Sequence, residues 1–326
     1  MTPELFLQTS AGLTCVALLI ESVAGYPGWL FAAIRHPVVW LGTLITALDK
    51  ALNRTEWSAL VRRGMGVVTA LIVAGAAVAI AYAVSLALPD TLAGKAVEAV
   101  LMSTLLAQRS LASHVSAVGR PLKSGNIGTA RVQLAKIVGR DVSVLDEAGI
   151  SRAATESLAE NFSDGVIAPA FWGTVFGLPG IAAYKAINTL DSMIGHRTPR
   201  HEMFGWASAR LDDIANLIPA RLTALLLSMA ALARAPSAVA ATLRDARRHR
   251  SPNAGWPEAA MAGALGVRLS GPRIYHDRVA DEPWLNGGAR DPVAGDIPRA
   301  LRLYAIAACV FMAVLAVFGW ALANVR

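Results

Sequence analysis

The sequence predicts an all-α, polytopic integral membrane protein. Three observations carry that expectation. Hydrophobic residues make up 55% of the 326 and charged residues 16%, against roughly 25% charged in ordinary soluble domains. Mean hydropathy is +0.47. Residues 66–88 run for 23 positions without a charge. As a helix that run is ~34 Å long, enough to cross a hydrocarbon layer of ~30 Å.

About four segments read as firm spans, at roughly 5–24, 66–88, 91–107 and 303–323. The first is apolar up to Glu21 and extends past it. It is not a secretory signal, because the first Lys or Arg of the chain is Arg35. The third contains Lys95 and Glu98, so a buried helix is its alternative. The fourth is charge-free over 21 residues. Cys15 and Cys309 both sit in apolar runs and are read as packing residues.

Two further apolar stretches, 166–187 and 217–232, are broken. The first carries Pro169, Gly173, Gly177, Pro179, Gly180 and Lys185; the second Pro219 and Arg221. Proline removes a helical hydrogen bond, and lipid tolerates the gap only where protein or a wet cavity re-satisfies the backbone. Both stretches can span, or both can be re-entrant.

The net charge is +7. Its distribution fits the positive-inside rule better than a nucleic-acid surface, and no nucleic-acid partner is expected. Bases cluster at 35–63, 109–152 and 234–299, which places those regions in the cytoplasm. The base-poor turn at Pro89 and Asp90, and both termini, are then external. The chain reads as one membrane-embedded domain with cytoplasmic loops at 109–164 and 234–300.

The polar residues of the middle third are concentrated. Residues 155–172 read TESLAENFSDGVIAPAFW. Glu156 and Glu160 are one helical turn apart, and Asn161, Ser163 and Asp164 follow at once. Such oxygen ligands suit Mg²⁺, which takes one or two carboxylates plus substrate phosphates; the plain alternative is a solvated helix end. Residues 184–221 interleave Asn188, Asp191, Asp212, Asp213 and Asn216 with Lys185, Arg197, Arg210 and Arg221. Mixed acids and bases at a membrane mouth can hold Mg²⁺ with a polyphosphate, or pair with each other. An ionisable group inside an apolar stretch points to function. His196 and His201 lack zinc spacing and read as polar contacts. RDARRHR at 244–250 reads as a lipid anchor, or as a phosphate or carboxylate site. Residues 251–272 are small, apolar and glycine-rich, suited to the interface or to a wall against a bulky ligand. No P-loop, GxGxxG, GxSxG or HExxH pattern is present.

Six motifs, in order along nearly the whole chain, carry a resemblance. They are RHPVVWLG (35–42), ARVQLAKIVGRD (130–141), ATESLAENFSDGVIAPAFW (154–172), YKAINTLDSMIGHR (184–197), FGWASARLDDIANLIPARLTA (204–224) and SPNAGWPEAAMAGALGVRLSGP (251–272). Together they resemble the CobD/CbiB-type cobinamide-phosphate synthases of cobalamin biosynthesis.

The resemblance implies an amide-forming ligase of the bacterial inner membrane. It would join a corrin propionate of adenosylcobyric acid to (R)-1-amino-2-propanol or its O-phosphate, giving adenosylcobinamide or its phosphate. ATP and Mg²⁺ would drive the step. On this view Glu160, Asp164, Lys185 and Asp191 are catalytic, and Glu156, Glu160, Asn161, Asp164, Asp212 and Asp213 hold the metal. Asn188, Arg197, Arg210, Arg221, Ser251, Asn253 and Tyr275 contact substrate or phosphates. An ATP-dependent site at 188–216 must face the cytoplasm, which favours re-entrant segments. Membrane lipid, a second copy of the chain and other cobalamin-assembly enzymes are the expected partners. Two alternatives remain: a Mg²⁺-dependent membrane prenyl- or phospho-alcohol transferase, and an AmpE-like sensor without catalysis.

Overall fold

In the computed structural model the described residues are 3–275, 278–280 and 282–325; for residues 3, 273–275 and 278–280 the description covers the backbone alone. The fold is helical. Among the described residues, four segments are long and apolar enough to cross a membrane: Gly28–Leu52, Ala59–Ala87, Glu147–Ile194 and Asp296–Val325. Trp206–Ala215 and Leu217–Ala230 form a further, bent pair.

Two of these hold the expected spans at 66–88 and 303–323; the other expected spans, 5–24 and 91–107, come out shorter. Residues 5–24 form two helices, Pro3–Leu7 and Ser10–Ala24. Thr9 separates them by turning its Oγ1 onto the Gly12 N–H at 3.0 Å. Residues 91–107 shorten to the 12-residue helix Leu92–Ser103, ~18 Å at 1.5 Å per residue. Its two charges pair, with Lys95 3.3 Å from Glu98, and Ser85 donates to Glu98 at 3.0 Å. Gly28–Leu52 is two helices broken at Arg35 and His36. Charge counting hides it, because Arg35 and Lys50 suggest a loop.

The chain divides into two compact units. Unit 1 comprises Met1–Ala107, Ala168–Asn216 and Val314–Arg326. Ser58 caps its long helix Ala59–Ala87 through the Val61 N–H at 3.4 Å. That helix and Ala168–Ile194 enclose a core of Ile45, Ala70, Val73, Leu190, Ile194 and Phe204. Gly66 allows the close approach: a Cβ there would lie within 2 Å (1.8 Å) of the Phe204 carbonyl oxygen. The expected break in 166–187 falls at Gly177, whose φ is 64°, just before Pro179. Trp172 stacks on Phe176 beside it and donates from Nε1 to the Ala215 carbonyl at 3.0 Å.

Unit 2 comprises Gln108–Ile167 and Leu217–Ala313. Asp146 caps Glu147–Phe162 through the Gly149 N–H at 2.8 Å. That helix ends in a π turn, Ser163–Ile167. Helices Ala235–Asp245 and Gly255–Leu265 are alanine-rich and pack closely, since a Cβ on Gly263 would lie 2.5 Å from the Ser237 carbonyl oxygen. The expected loop 234–300 contains, besides its helices, four short strands among the described residues, paired Leu269–Ser270 with Trp284–Leu285 and Arg273–Tyr275 with Arg278–Ala280, both antiparallel.

Candidate functional site

The candidate residues fall into two groups, one in each unit. In unit 1, Asn188 and Asp191 sit on the last turns of Ala168–Ile194, and Asp212 and Asp213 on Trp206–Ala215. The fold brings these segments together, so that Asp191, Asp212 and Asp213 interact electrostatically. Asp212 is held on both oxygens. Asn216 Nδ2 donates to Oδ2 at 2.9 Å and Asn188 Nδ2 to Oδ1 at 3.4 Å. Asn216 is in turn fixed by the Tyr184 hydroxyl at 2.9 Å. Arg210 donates to Asp213 at 3.0 Å. Gly195 leaves room beside Asp191: a Cβ there would lie within 2 Å (1.9 Å) of its Oδ1.

Lys185 is half-buried and lies close enough to His36 to interact with it. His36 was not expected in a site; its Nδ1 caps Pro37–Leu52 through the Val38 N–H at 3.2 Å. Arg197 is exposed. His196 lies near Asp191, and His201 is 3.4 Å from Asp49. Asp49 also takes Arg200 at 2.7 Å, an ion pair between residues 151 apart that spacing cannot reveal.

In unit 2 the two glutamates differ in burial. Glu156 is buried, accepting from Arg140 Nη2 at 2.9 Å and from the Ser270 N–H at 2.7 Å. Both its oxygens are thus engaged by the protein. Glu160 is exposed one turn on. Asn161 donates to the Ser157 carbonyl at 2.9 Å. Asp164 lies in the π turn, a wide turn found often at functional sites.

The 251–256 segment is braced as a turn. Ser251 Oγ accepts from the Asn253 and Ala254 N–H groups at 3.3 and 3.1 Å. Arg221 donates to Asn253 Oδ1 at 2.7 Å and lies 4.4 Å from the Trp256 ring centre. Buried His249 sits 3.8 Å from buried Glu258, a pair the sequence reading missed. The Tyr275 side chain lies outside the described residues.

A second pattern in unit 2 was also missed: three aspartates each hold two arginines. Asp245 takes Arg244 and Arg248, Asp291 takes Arg152 and Arg268, and Asp296 takes Arg290 and Arg299. Burial pushes the Asp245 carboxyl up, but hydrogen bonds from Arg244 and the Asn286 N–H outweigh it and hold it below its ordinary value. The Arg268 hydrogen bond, helped by Arg152, pulls Asp291 down to about 2. Both of these arginines lie against Trp284, at 4.3 and 4.6 Å.

Among the described residues no three His, Cys, Asp or Glu side chains form a ready-made metal site. The donor set in unit 1 still fits Mg²⁺, which completes its shell with water and substrate phosphates. Asp191, Asp212 and Asp213 would supply carboxylates, with Asn188 and Asn216 bonded to Asp212.

The chain is similar to known proteins over most of its length. A family model described as CobD/CbiB protein matches residues 14–304. A "Cobalamin biosynthesis protein CobD" of Rhodobacter capsulatus is 58% identical over 294 residues, covering 90% of this chain and 92% of that protein. Proteins of the same name in Rhizobium meliloti and Brucella suis are 48% and 49% identical, covering 91% and 89% of this chain and 93% and 90% of theirs. No solved structure matches the chain.

Proposed function

This chain belongs to the CobD/CbiB family of cobalamin biosynthesis proteins, and from that premise we propose that it is an ATP-dependent amide-forming ligase. Its substrates would be adenosylcobyric acid and (R)-1-amino-2-propanol or its O-phosphate. The observation that supports this reading is the acidic group of unit 1: Asp191, Asp212 and Asp213, braced by Asn188 and Asn216, beside Arg210.

The chemistry asks for such a group. A carboxylate is a poor electrophile, so its oxygen first attacks a phosphorus of ATP. That forms a mixed anhydride and releases ADP or pyrophosphate. The amine nitrogen then adds to the acyl carbon, and phosphate or AMP leaves with the bonding pair. The amine loses a proton to a base, for which Asp191 and Asp212 are the candidates. Mg²⁺, held by these carboxylates and the ATP phosphates, would offset the negative charge on the transferring group. Lys185, Arg197 and Arg210 would contact phosphates or the propionate. Glu160, Asn161 and Asp164 are the metal or base candidates of unit 2. Glu156, a metal candidate as well, accepts a hydrogen bond from the Ser270 N–H. Arg221, Ser251 and Asn253 shape the turn that would meet the corrin.

The site would face the cytoplasm of a cell whose inner membrane holds the apolar helices. The test is nucleotide turnover by the purified full-length protein in detergent with Mg²⁺. ADP, or AMP and pyrophosphate, should form only when both adenosylcobyric acid and the amine are present. Folded protein that consumes no ATP with either form of the amine would sink the proposal in favour of a sensor.

A further inference from the structure

We propose that unit 2 carries a phosphate-binding pocket, in the cavity bounded by Arg244, Arg248, Trp284, Asn286, Gly287 and Gly288. The cavity measures ≈ 510 Å³, within the ~300–1,000 Å³ common for small-molecule sites. It lies wholly in unit 2, on residues distinct from the acidic group of unit 1.

The walls are built to present guanidinium groups. Arg244 and Arg248 are 56% and 59% exposed at their side chains, yet both are tethered to Asp245, which is 1% exposed. Arg244 forks onto Asp245 through Nε at 3.0 Å and Nη2 at 2.8 Å. The Asn286 N–H closes the same carboxylate at 2.8 Å. Arg248 Nη1 stands 3.5 Å away. Two cations on one buried anion leave one positive charge over. The other acid in the wall, Glu282, is 8% exposed and 3.4 Å from Arg250. Both carboxylates are therefore engaged by arginines.

Among the described residues, Arg244 Nη1 and Arg248 Nε and Nη2 have no protein partner. The Nε/Nη2 edge of Arg248 with the single Nη1 of Arg244 matches the several oxygens of a phosphate group. A Cβ on Gly288 would meet nothing within 4 Å, so the chain there leaves the cavity open. The phosphate could belong to a small phosphomonoester or to the end of a nucleoside triphosphate.

Binding is measurable without turnover, so the inference stands or falls apart from the ligase reading. The experiment is calorimetric titration of the full-length protein in detergent with inorganic phosphate, aminopropanol O-phosphate and ATP separately. Arg248→Gln is the test variant, because Arg244 keeps Asp245 paired and the fold should survive. It should weaken phosphate binding by about tenfold or more, the scale of one charge-assisted hydrogen bond. Arg248→Lys keeps the charge without the fork and should lose less. A loss confined to ATP assigns the pocket to the nucleotide; a loss for the monoester and inorganic phosphate assigns it to the ester. Wild-type protein that binds none of the three at millimolar concentration would overturn the proposal. So would unchanged affinities in both variants.

Discussion

Asp212 accepts a hydrogen bond from Asn216, one turn along, at 2.9 Å. Asn216 itself accepts from the Tyr184 hydroxyl at 2.9 Å. A buried tyrosine on one helix thereby sets the orientation of a carboxylate on another. Tyr184→Phe removes the hydroxyl and little else. Asn216 is 1% exposed, so the lost donor should cost about 1–3 kcal/mol. Thermal melting should register that loss. Turnover should fall several-fold with a smaller change in KM, because the substituted residue reaches Asp212 through Asn216. An unchanged kcat would mean that Asp212 does not depend on this chain of bonds.

Asp164 and Asp213 test the metal and base roles most sharply. Asp213 pairs with Arg210, itself 55% exposed at the side chain, so Asp213→Asn should change stability by no more than about 0.5 kcal/mol. If Asp213 helps to hold Mg²⁺, ligase activity should drop by about 10- to 100-fold. Raising Mg²⁺ should restore part of it. Asp164→Asn, in the π turn, should behave likewise. Either variant with full activity loses its assigned role.

Glu156 and Glu160 separate structure from chemistry. Glu156→Gln can still accept from the Ser270 N–H but leaves Arg140, 11% exposed at its side chain, without its ion pair. Breaking a buried pair from one side costs about 3–5 kcal/mol. The variant should melt well below the wild type, with activity lost in proportion to unfolding. Glu160→Gln, at an exposed position, should melt within about 0.5 kcal/mol of the wild type. Equal melting of the two variants would remove the anchoring role of Glu156.

The arginine-bound aspartates predict an acid limit. Asp291 is held down to about 2 by Arg268 and Arg152, against an unfolded value of about 3.9. Between those two values the unfolded chain binds more protons, so stability rises with pH there. The contribution is complete above about pH 4 and fades as pH falls toward 2. Melting temperatures from pH 6 to pH 2 should decline most steeply below about pH 4. Asp291→Asn should flatten that part of the curve. A parallel curve would show that the ion pairs contribute nothing.

Much of this architecture was legible from the sequence because hydropathy and helix-breaking residues act locally. The run at 66–88 became the helix Ala59–Ala87, and Gly177 with Pro179 marked the break. Gly28–Leu52 was not legible, because Arg35 and Lys50 mimic the charges of a loop. Asp191 and Asp212 were each visible as acids, but only packing of two helices brings residues 21 apart into one electrostatic group. The Arg244–Asp245–Arg248 cluster was within reach of spacing, since its members are at most four apart. Arg152 and Asp291 were not: 139 residues separate them, and no periodicity reports such a contact.

Gly271 tests whether the Trp284 assembly depends on a missing side chain. Its φ is +84°, where an L side chain is strained, and a Cβ would lie 2.6 Å from the Trp284 ring. The ring cannot retreat freely, since Arg152 and Arg268 lie against it and both grip Asp291. Gly271→Ala must therefore shift the ring or the strand pair Leu269–Ser270 with Trp284–Leu285. Overpacking of this kind costs about 1–3 kcal/mol, and the left-handed backbone adds to it. Gly75→Ala is the matched control: it lies inside the helix Ala59–Ala87 and its Cβ would meet nothing within 4 Å. In a helix interior alanine is favoured over glycine by up to about 1 kcal/mol. Melting should fall for the first variant and hold or rise for the second; equal melting would mean that the Trp284 ring yields without cost.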